Sequence, residues 1–123
     1  MNGRNVFLNI SLNIDGNLII DNLNLNIYEQ EIISIIGPSA SGKSSLLRII
    51  AGFENINSGR VKINGVIVDD RSKVVEPQNR KVGIIFQDLA LFPHLNCENN
   101  ILFGIAKHTP TEKSKRLETL STL

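Results

Sequence analysis

The 123-residue chain contains very few of the residues that mark several protein classes. Its one cysteine, Cys97, excludes an intrachain disulfide framework and a zinc site built from several cysteines. Thirteen basic and twelve acidic side chains leave a net charge of +1, so the basic excess of nucleic-acid-binding proteins is missing and no nucleic-acid partner is expected. No apolar run approaches the ~20 residues that span a bilayer, and no secretory signal precedes the first strand. We therefore expect a cytoplasmic location.

Hydrophobic residues make up 41% of the chain, which is enough for a buried core. Residues 6–14 and 23–27 alternate apolar and polar side chains, the period of a strand with one buried face. The turn-forming residues 15–17 lie between them and predict an antiparallel hairpin. Residues 60–64 and 66–69 flank a glycine and predict a second hairpin.

Two short apolar runs lack this alternation. Ile32–Ile36 and Val82–Phe86 are rich in β-branched residues, which is typical of parallel strands covered by helices on both faces. Helices are predicted over Ser44–Ala51, over Cys97–Ala106 and from Pro110 onward. The sequence thus predicts an α/β fold with an antiparallel β annex and a partial parallel core sheet.

A glycine-bearing segment follows the first of these runs and fits the pattern G-x-x-x-x-G-K-[ST] at every fixed position. In this pattern, consecutive backbone N–H groups and the start of a helix surround phosphate oxygens. Lys43 would supply charge to the β- and γ-phosphates, Ser44 would ligate Mg²⁺, and Ser45 is a candidate donor to the α-phosphate. The candidate ligands of ATP and Mg²⁺ are Gly37, Pro38, Ser39, Ala40, Ser41, Gly42, Lys43, Ser44 and Ser45.

A chance match in a serine- and glycine-rich turn is the alternative interpretation. The context favours the phosphate loop, because a predicted buried strand ends at Ile36 and a predicted helix begins after Gly42. We expect Leu46, Leu47 and Ile50 to share one face of that helix and Gly52 to end it.

With its surroundings, this loop resembles the ATPase subunit of an ABC transporter of the importer type. The matching stretches are Gly37–Gly52, Ser58-Gly59 with Asn64-Gly65, Arg80–Gln87, Ala90–Leu95 and Glu98–Gly104. Pro77-x-x-Arg80 and Leu91–His94 are most similar to the branch that imports ferric iron, polyamines, sulfate and sugars. Ala51–Glu54 and Phe92–Leu95 favour ferric iron within it.

The resemblance implies the fold of a P-loop NTPase and several roles. Gln87 would ligate Mg²⁺ and act with Lys43 in catalysis by positioning the attacking water. Leu89–Leu95 would face a membrane permease, so the chain would be peripheral on the inner face of the cell membrane. A second ATP-binding subunit and, indirectly, an extracytoplasmic solute-binding protein are the other implied partners. Without the resemblance, Gln87 is a solvent-facing glutamine, and Leu91, Phe92 and Leu95 are ordinary core residues.

The chain departs from the family pattern at three positions. Ile14 occupies the position of the aromatic residue that stacks on adenine, which leaves the base preference open. Gln30 replaces a glycine at a turn where a positive φ would strain it, and Ala40 stands where glycine or cysteine is common.

The length indicates that the chain corresponds to the N-terminal half of an ABC ATP-binding domain. We assign residues 1–36 to the annex and phosphate-loop strand, 37–52 to the loop and first helix, 53–86 to a hairpin and core strand, and 87–123 to the glutamine loop and helical region. The Leu-Ser-Gly-Gly-Gln signature, the acidic strand and the switch histidine are absent from the sequence. We therefore expect negligible ATP hydrolysis, unpaired strand edges and exposed apolar surface.

Three alternative interpretations of the chain stay open. It could be a catalytically inactive remnant, one product of a split gene, or a non-hydrolysing ATP-binding module. A P-loop kinase or GTPase is disfavoured because no Asn-Lys-x-Asp motif or lid arginine cluster is present. Asp69-Asp70 is interpreted as a solvated turn, and His94 and His108 as surface residues, rather than as metal ligands.

Overall fold

The computed structural model describes residues 4–88, 91–105 and 108–121. It divides the chain into two units, one up to Ile84 and one from Ile85 onward.

The first unit is built on a four-stranded antiparallel sheet in the order β2-β1-β3-β4. Its strands are β1 (Arg4–Ile14), β2 (Asn17–Tyr28), β3 (Ser58–Ile63) and β4 (Val66–Asp69). Both predicted hairpins are confirmed. Each closes through two residues with positive φ, Asp15-Gly16 and Asn64-Gly65, which is the turn that matches the twist of the paired strands.

The alternating side chains of the sheet form the core on one face, together with the helix α1 (Lys43–Ala51). The predicted helix is confirmed and begins one residue earlier than expected, and Gly52 ends it. Leu46 and Ile49 are its buried contacts with the core, and Ile50 is partly buried there. The prediction that Leu47 shares their face is wrong, because its side chain is half exposed. The core cluster consists of Leu8, Ile10, Leu12, Ile20, Leu46, Ile49, Ile56, Val61, Ile63 and Val68.

The prediction of two parallel strands is wrong. Within the described part of the chain, neither Ile32–Ile36 nor Val82–Phe86 belongs to a hydrogen-bonded strand. Ile32 and Ile36 are 96% and 93% exposed, so the expected apolar surface is confirmed. The physical reason is that a parallel strand needs a neighbour from a distant part of the chain, and neither run has one among the described residues.

The second unit is helical. It contains α2 (Cys97–Leu102), a 3₁₀ turn (Phe103–Ile105) and α3 (Pro110–Ser121). The Asn96 side chain caps α2 by accepting from the Asn99 N–H at 2.8 Å. The prediction for α2 extended to Ala106, which lies outside the described residues, and the prediction of α3 from Pro110 is confirmed.

Candidate functional site

The segment from Gly37 to Gly42 forms a tight bend that leads directly into α1. Gly42 has φ +85°, and a Cβ on it would lie 3.1 Å from Ile19 Cγ2 and 3.2 Å from Ile19 O. Glycine is therefore required there by both the backbone conformation and the close approach of β2. Ala40 also has a positive φ, +62°, a conformation that disfavours a residue with a Cβ.

The start of α1 presents backbone donors beside this bend. Leu46 N–H donates to Gly42 O at 2.9 Å, the first hydrogen bond of the helix. The amides before it, up to Ser45, are the helix-initial N–H groups that have no intrahelical acceptor. Together with the positive end of the helix dipole, they favour an anion at this position. Ser44 is exposed in this first turn and Ser45 is half-buried.

Lys43 places its charge inside the bend. Its Nζ donates to Gly37 O at 3.0 Å, to Ser41 Oγ at 3.2 Å and to Pro38 O. The ammonium group is thus held by the loop that the sequence motif assigns to phosphate. A polyphosphate that binds here would exchange these neutral acceptors for charged ones, which form stronger hydrogen bonds.

A depression of about 250 Å³ lies over these groups. It is lined by Ile19, Ala40, Ser41, Gly42, Lys43, Ser44 and Ser45. Of the described residues that line it, Lys43 alone is charged. Hydroxyl groups, an ammonium group and a helix start are a donor set that fits a phosphate group, and Ser44 adds a hydroxyl oxygen of the kind that Mg²⁺ accepts as a ligand.

The structure shows the surroundings of Ile14 and Gln30, two of the positions at which the sequence departs from the family pattern. Ile14 is partly buried against the core cluster, whereas Ile19 lines the depression beside the loop. Sequence alignment to the family pattern singled out Ile14 and missed Ile19, which no motif marks. Gln30 has the positive φ, +64°, that the pattern predicted for its turn.

Gln87 belongs to the second unit, where it is an exposed residue in a turn. Its role as a Mg²⁺ ligand stays a prediction. Leu89 and Ala90 lie outside the described residues, but the following loop is well defined. The Asn100 amide donates to Phe92 O and Leu95 O and accepts from Phe92 N–H.

This second-unit loop carries exposed apolar side chains. Leu91 is 75% exposed, and the rings of Phe92 and Phe103 lie 4.3 Å apart between centroids. A cavity of about 390 Å³ is lined by Leu91, Phe92, Pro93, Leu95, Cys97, Asn100 and Ile101. The interpretation of Leu91 and Phe92 as ordinary core is wrong, because both side chains remain accessible.

Asp69 is not the solvated residue that the sequence predicted. Its side chain is fully buried, and its Oδ2 lies 4.0 Å from Arg80 Nη2, whose side chain is also fully buried. Burial lowers the pKa of Arg80, while the charges of Asp69 and Glu76 raise it, and a guanidinium stays protonated in proteins. The neighbouring Asp70 is partly exposed in a bend after β4, where the Ser72 hydroxyl lowers its pKa. Nothing in the sequence pattern marked the buried pair.

The described ranges also limit other functions. Among residues 4–88, 91–105 and 108–121, no three His, Cys, Asp or Glu side chains are grouped so that they could hold a metal ion. None of the helices in these ranges is both long and apolar enough to cross a membrane.

Comparison with known proteins points to one family. The family model described as ABC transporter matches residues 20–123. The spermidine/putrescine import ATP-binding protein of Mycoplasmopsis synoviae is 46% identical over 110 residues, covering 89% of this chain and 23% of that protein. The Fe(3+) ions import ATP-binding protein of Pectobacterium atrosepticum is 39% identical over 114 residues, covering 93% and 33%. The maltose/maltodextrin import ATP-binding protein of Vibrio parahaemolyticus is 48% identical, and the match covers 82% of this chain and 27% of that protein.

Solved structures agree. The cbiO1 protein of Clostridium perfringens, part of an ABC transporter complex, superposes with a TM-score of 0.75 at 26% identity, over 95% of this chain and 49% of that one. The ATP-binding cassette MJ0796, solved as a dimer bound to ADP and Pi, gives 0.71 at 30% identity, over 98% and 55%. This chain spans about a quarter to a third of the curated relatives and about half of the solved cassettes.

Proposed function

This chain belongs to the ABC transporter family, and from that premise we propose that it binds the triphosphate of ATP together with Mg²⁺ at residues 37–45. The observation that carries the proposal is the Lys43 ammonium group, held within the bend at the start of α1. This is the one place in the depression where charge, hydroxyl groups and helix-initial amides converge.

Each residue of the loop has a separate role in the proposal. Lys43 neutralises the β- and γ-phosphates, and the amides from Gly42 to Ser45 donate to the phosphate oxygens. The Ser44 hydroxyl, exposed at the start of α1, would hold Mg²⁺. On the family resemblance alone, we propose the Gln87 side chain as a further oxygen ligand. Bound Mg²⁺ would supply charge neutralisation for the phosphate oxygens. Ile19 borders the depression beside the loop.

The larger assembly is proposed by the same reasoning. The matched relatives are named as import ATP-binding proteins, and one of the solved cassettes is dimeric. We propose that ATP binding by this chain serves solute import, with a second ATP-binding subunit and a membrane permease as partners. A solute-binding protein would contact the permease, and the chain would lie at the inner face of the membrane. The relatives are named for polyamines, ferric ions and maltose, so the proposal stops at import and does not narrow to ferric iron.

The permease-facing surface is proposed to be the exposed loop of the second unit. Leu91 and Phe92 leave their side chains accessible, and Asn100 fixes the backbone around them. An exposed apolar cluster on a fixed loop is typical of a protein interface.

The nucleotide-binding proposal is tested by titration calorimetry of the 123-residue chain with pyrophosphate and with ATP, in the presence of Mg²⁺. Lys43→Ala removes a charge-assisted donor, so we expect both affinities to fall about 10- to 100-fold. Arg48→Ala is the matched control, because it removes a positive charge from the exposed last turn of the same helix. Its affinities should stay within about twofold of the unmodified chain. Equal affinities for the unmodified chain and Lys43→Ala would contradict the proposal.

A further inference from the structure

Arg80 is a buried cation that no feature of the phosphate loop explains. The residue is 3% exposed. Its guanidinium donates to four backbone carbonyls: to Ile49 O and Val75 O at 2.7 Å each, and to Ile50 O and Val68 O at 3.4 Å each. A buried charge is costly unless it is paired and hydrogen-bonded, and here each of the three guanidinium nitrogens donates to a backbone carbonyl.

Two of these acceptors belong to the last turn of α1. Ile49 O and Ile50 O are among the last four carbonyls of the helix, which have no donor four residues further along within it. Ile49 O also accepts from the Gly52 N–H at 3.2 Å, so Arg80 adds to the backbone cap at this end. A positive charge at a helix C-terminus is also favoured by the helix dipole. Arg80 therefore completes the end of the helix whose other end is the phosphate loop. The helix is nine residues long, about 13 Å along its axis.

The remaining contacts of Arg80 attach this helix end to the sheet. Val68 is in β4, and Asp69, the last residue of β4, provides the buried counter-charge at 4.0 Å. Asp69 is itself held in place, because its carboxylate accepts from Arg71 N–H at 3.2 Å and from Ile56 N–H at 3.5 Å. Arg80 thus connects α1 to a strand on the side of the unit away from the loop's own contact with Ile19 in β2.

We propose that Arg80 is a positioning residue for the phosphate loop, because it fixes the C-terminal end of α1 against β4 and so sets where the helix-initial amides lie. The part of this proposal that concerns phosphate binding rests on the proposed function. The part that concerns the position of α1 does not. Arg80 does not touch the depression itself. Its effect on phosphate binding travels through the backbone of α1.

The test compares Arg80→Lys with Val61→Ala in the full 123-residue chain. Lysine keeps the charge beside Asp69, but its donors sit on one nitrogen, so it cannot reproduce the contacts that the three separate nitrogens of Arg80 make with different segments of the backbone. Val61 is fully buried in β3, so Val61→Ala destabilises the same unit without removing a contact of α1's carbonyls. Amide hydrogen exchange is measured for Leu46 and for the sheet, and pyrophosphate affinity is measured where each variant is folded.

We expect Arg80→Lys to speed exchange at the Leu46 amide more than at the sheet amides and to weaken pyrophosphate binding about tenfold. Val61→Ala should speed exchange uniformly and leave the affinity within about twofold. A uniform increase in Arg80→Lys, or an affinity equal to that of Val61→Ala, overturns the proposal. If Lys43→Ala shows that pyrophosphate does not bind at the loop, the proposed function fails, and the exchange comparison alone then decides whether Arg80 positions the helix.

Discussion

Two apolar segments of the first unit, β1 and the run Ile32–Ile36, have similar side chains and opposite environments. Ile10 in β1 is 1% exposed, whereas Ile36 is 93% exposed. β1 lies between β2 and β3 and is hydrogen-bonded on both edges. Within the described residues, Ile32–Ile36 is not a strand of the sheet. Apolar composition therefore does not separate the two segments, but the availability of a partner strand does.

The difference follows from how each kind of pair is closed. A two-residue turn brings β2 beside β1, and another brings β4 beside β3, so these partners are a few residues away in sequence. A parallel pair needs a crossover of a dozen or more residues before its partner arrives. Each hairpin is thus closed locally, and β1 and β3, whose paired residues lie 47 to 57 positions apart, join the two hairpins into one sheet. Among the described residues, the segment before the phosphate loop is not part of that sheet.

The largest expected effect tests how closely β1 and β3 are paired. Gly59 in β3 has φ +95°, and a Cβ there would lie 1.8 Å from Asn9 O in β1. Gly59→Ala forces the two backbones apart, so we expect a loss of at least about 3 kcal/mol in the free energy of unfolding, measured by urea denaturation. Gly65→Ala is the matched control, since it also has a positive φ but meets nothing within 4 Å. It should cost about 1–2 kcal/mol. Equal losses for the two variants would show that β1 and β3 are not closely paired at Gly59.

The next effect tests the contrast between the two segments directly. Ile10→Ala removes a fully packed side chain and should cost about 2–5 kcal/mol in the free energy of unfolding. Ile36→Ala removes the same atoms from an exposed side chain and should change it by about 0.5 kcal/mol or less. The two variants are compared by urea denaturation of the 123-residue chain. A loss at Ile36 close to that at Ile10 would mean that the run before the loop is packed, and the contrast would disappear.

The same distinction explains which parts of the structure could be predicted from the sequence. Both hairpins, α1 and the start of α3 were predicted correctly, because their turns, caps and alternating side chains lie within a few residues of one another. The spacing of the motif also predicted the phosphate loop, because its fixed positions encode a backbone shape. Ile32–Ile36 and Val82–Phe86 were predicted wrongly because their pattern describes a buried environment that distant residues must supply.

The site shows the same limit on a smaller scale. Lys43 and Ser44 were identified by spacing alone, yet the contacts of Arg80 with Ile49 and Asp69 span 31 and 11 residues, respectively. No local pattern distinguishes a buried Asp69 at the end of β4 from an aspartate in a turn. Buried pairs of this kind become visible only when the packing is known, because their stability depends on acceptors from several elements.

The smallest expected effect concerns a structure closed entirely by neighbouring residues, the first turn of α3. The Glu112 carboxylate accepts from Thr109 Oγ1 at 2.7 Å and from Thr109 N–H at 2.9 Å, and these bonds hold the pKa of Glu112 below its ordinary value of 4.5. Because the folded pKa is lowered, the contribution of these bonds to helix stability is complete above pH 4.5 and is lost as the pH falls through the folded pKa.

We expect Glu112→Gln to weaken this acid-dependent loss of helical circular dichroism slightly. The matched charge-to-amide control, Lys115→Gln, should retain it. Since the Thr109–Glu112 hydrogen bonds need no distant partner, their pH dependence should persist in Gly59→Ala even where the sheet has opened. If the pH dependence disappears in that variant, the stability of α3 depends on the first unit. The distinction between structure formed by neighbouring residues and structure that needs distant residues would then not hold for the helices.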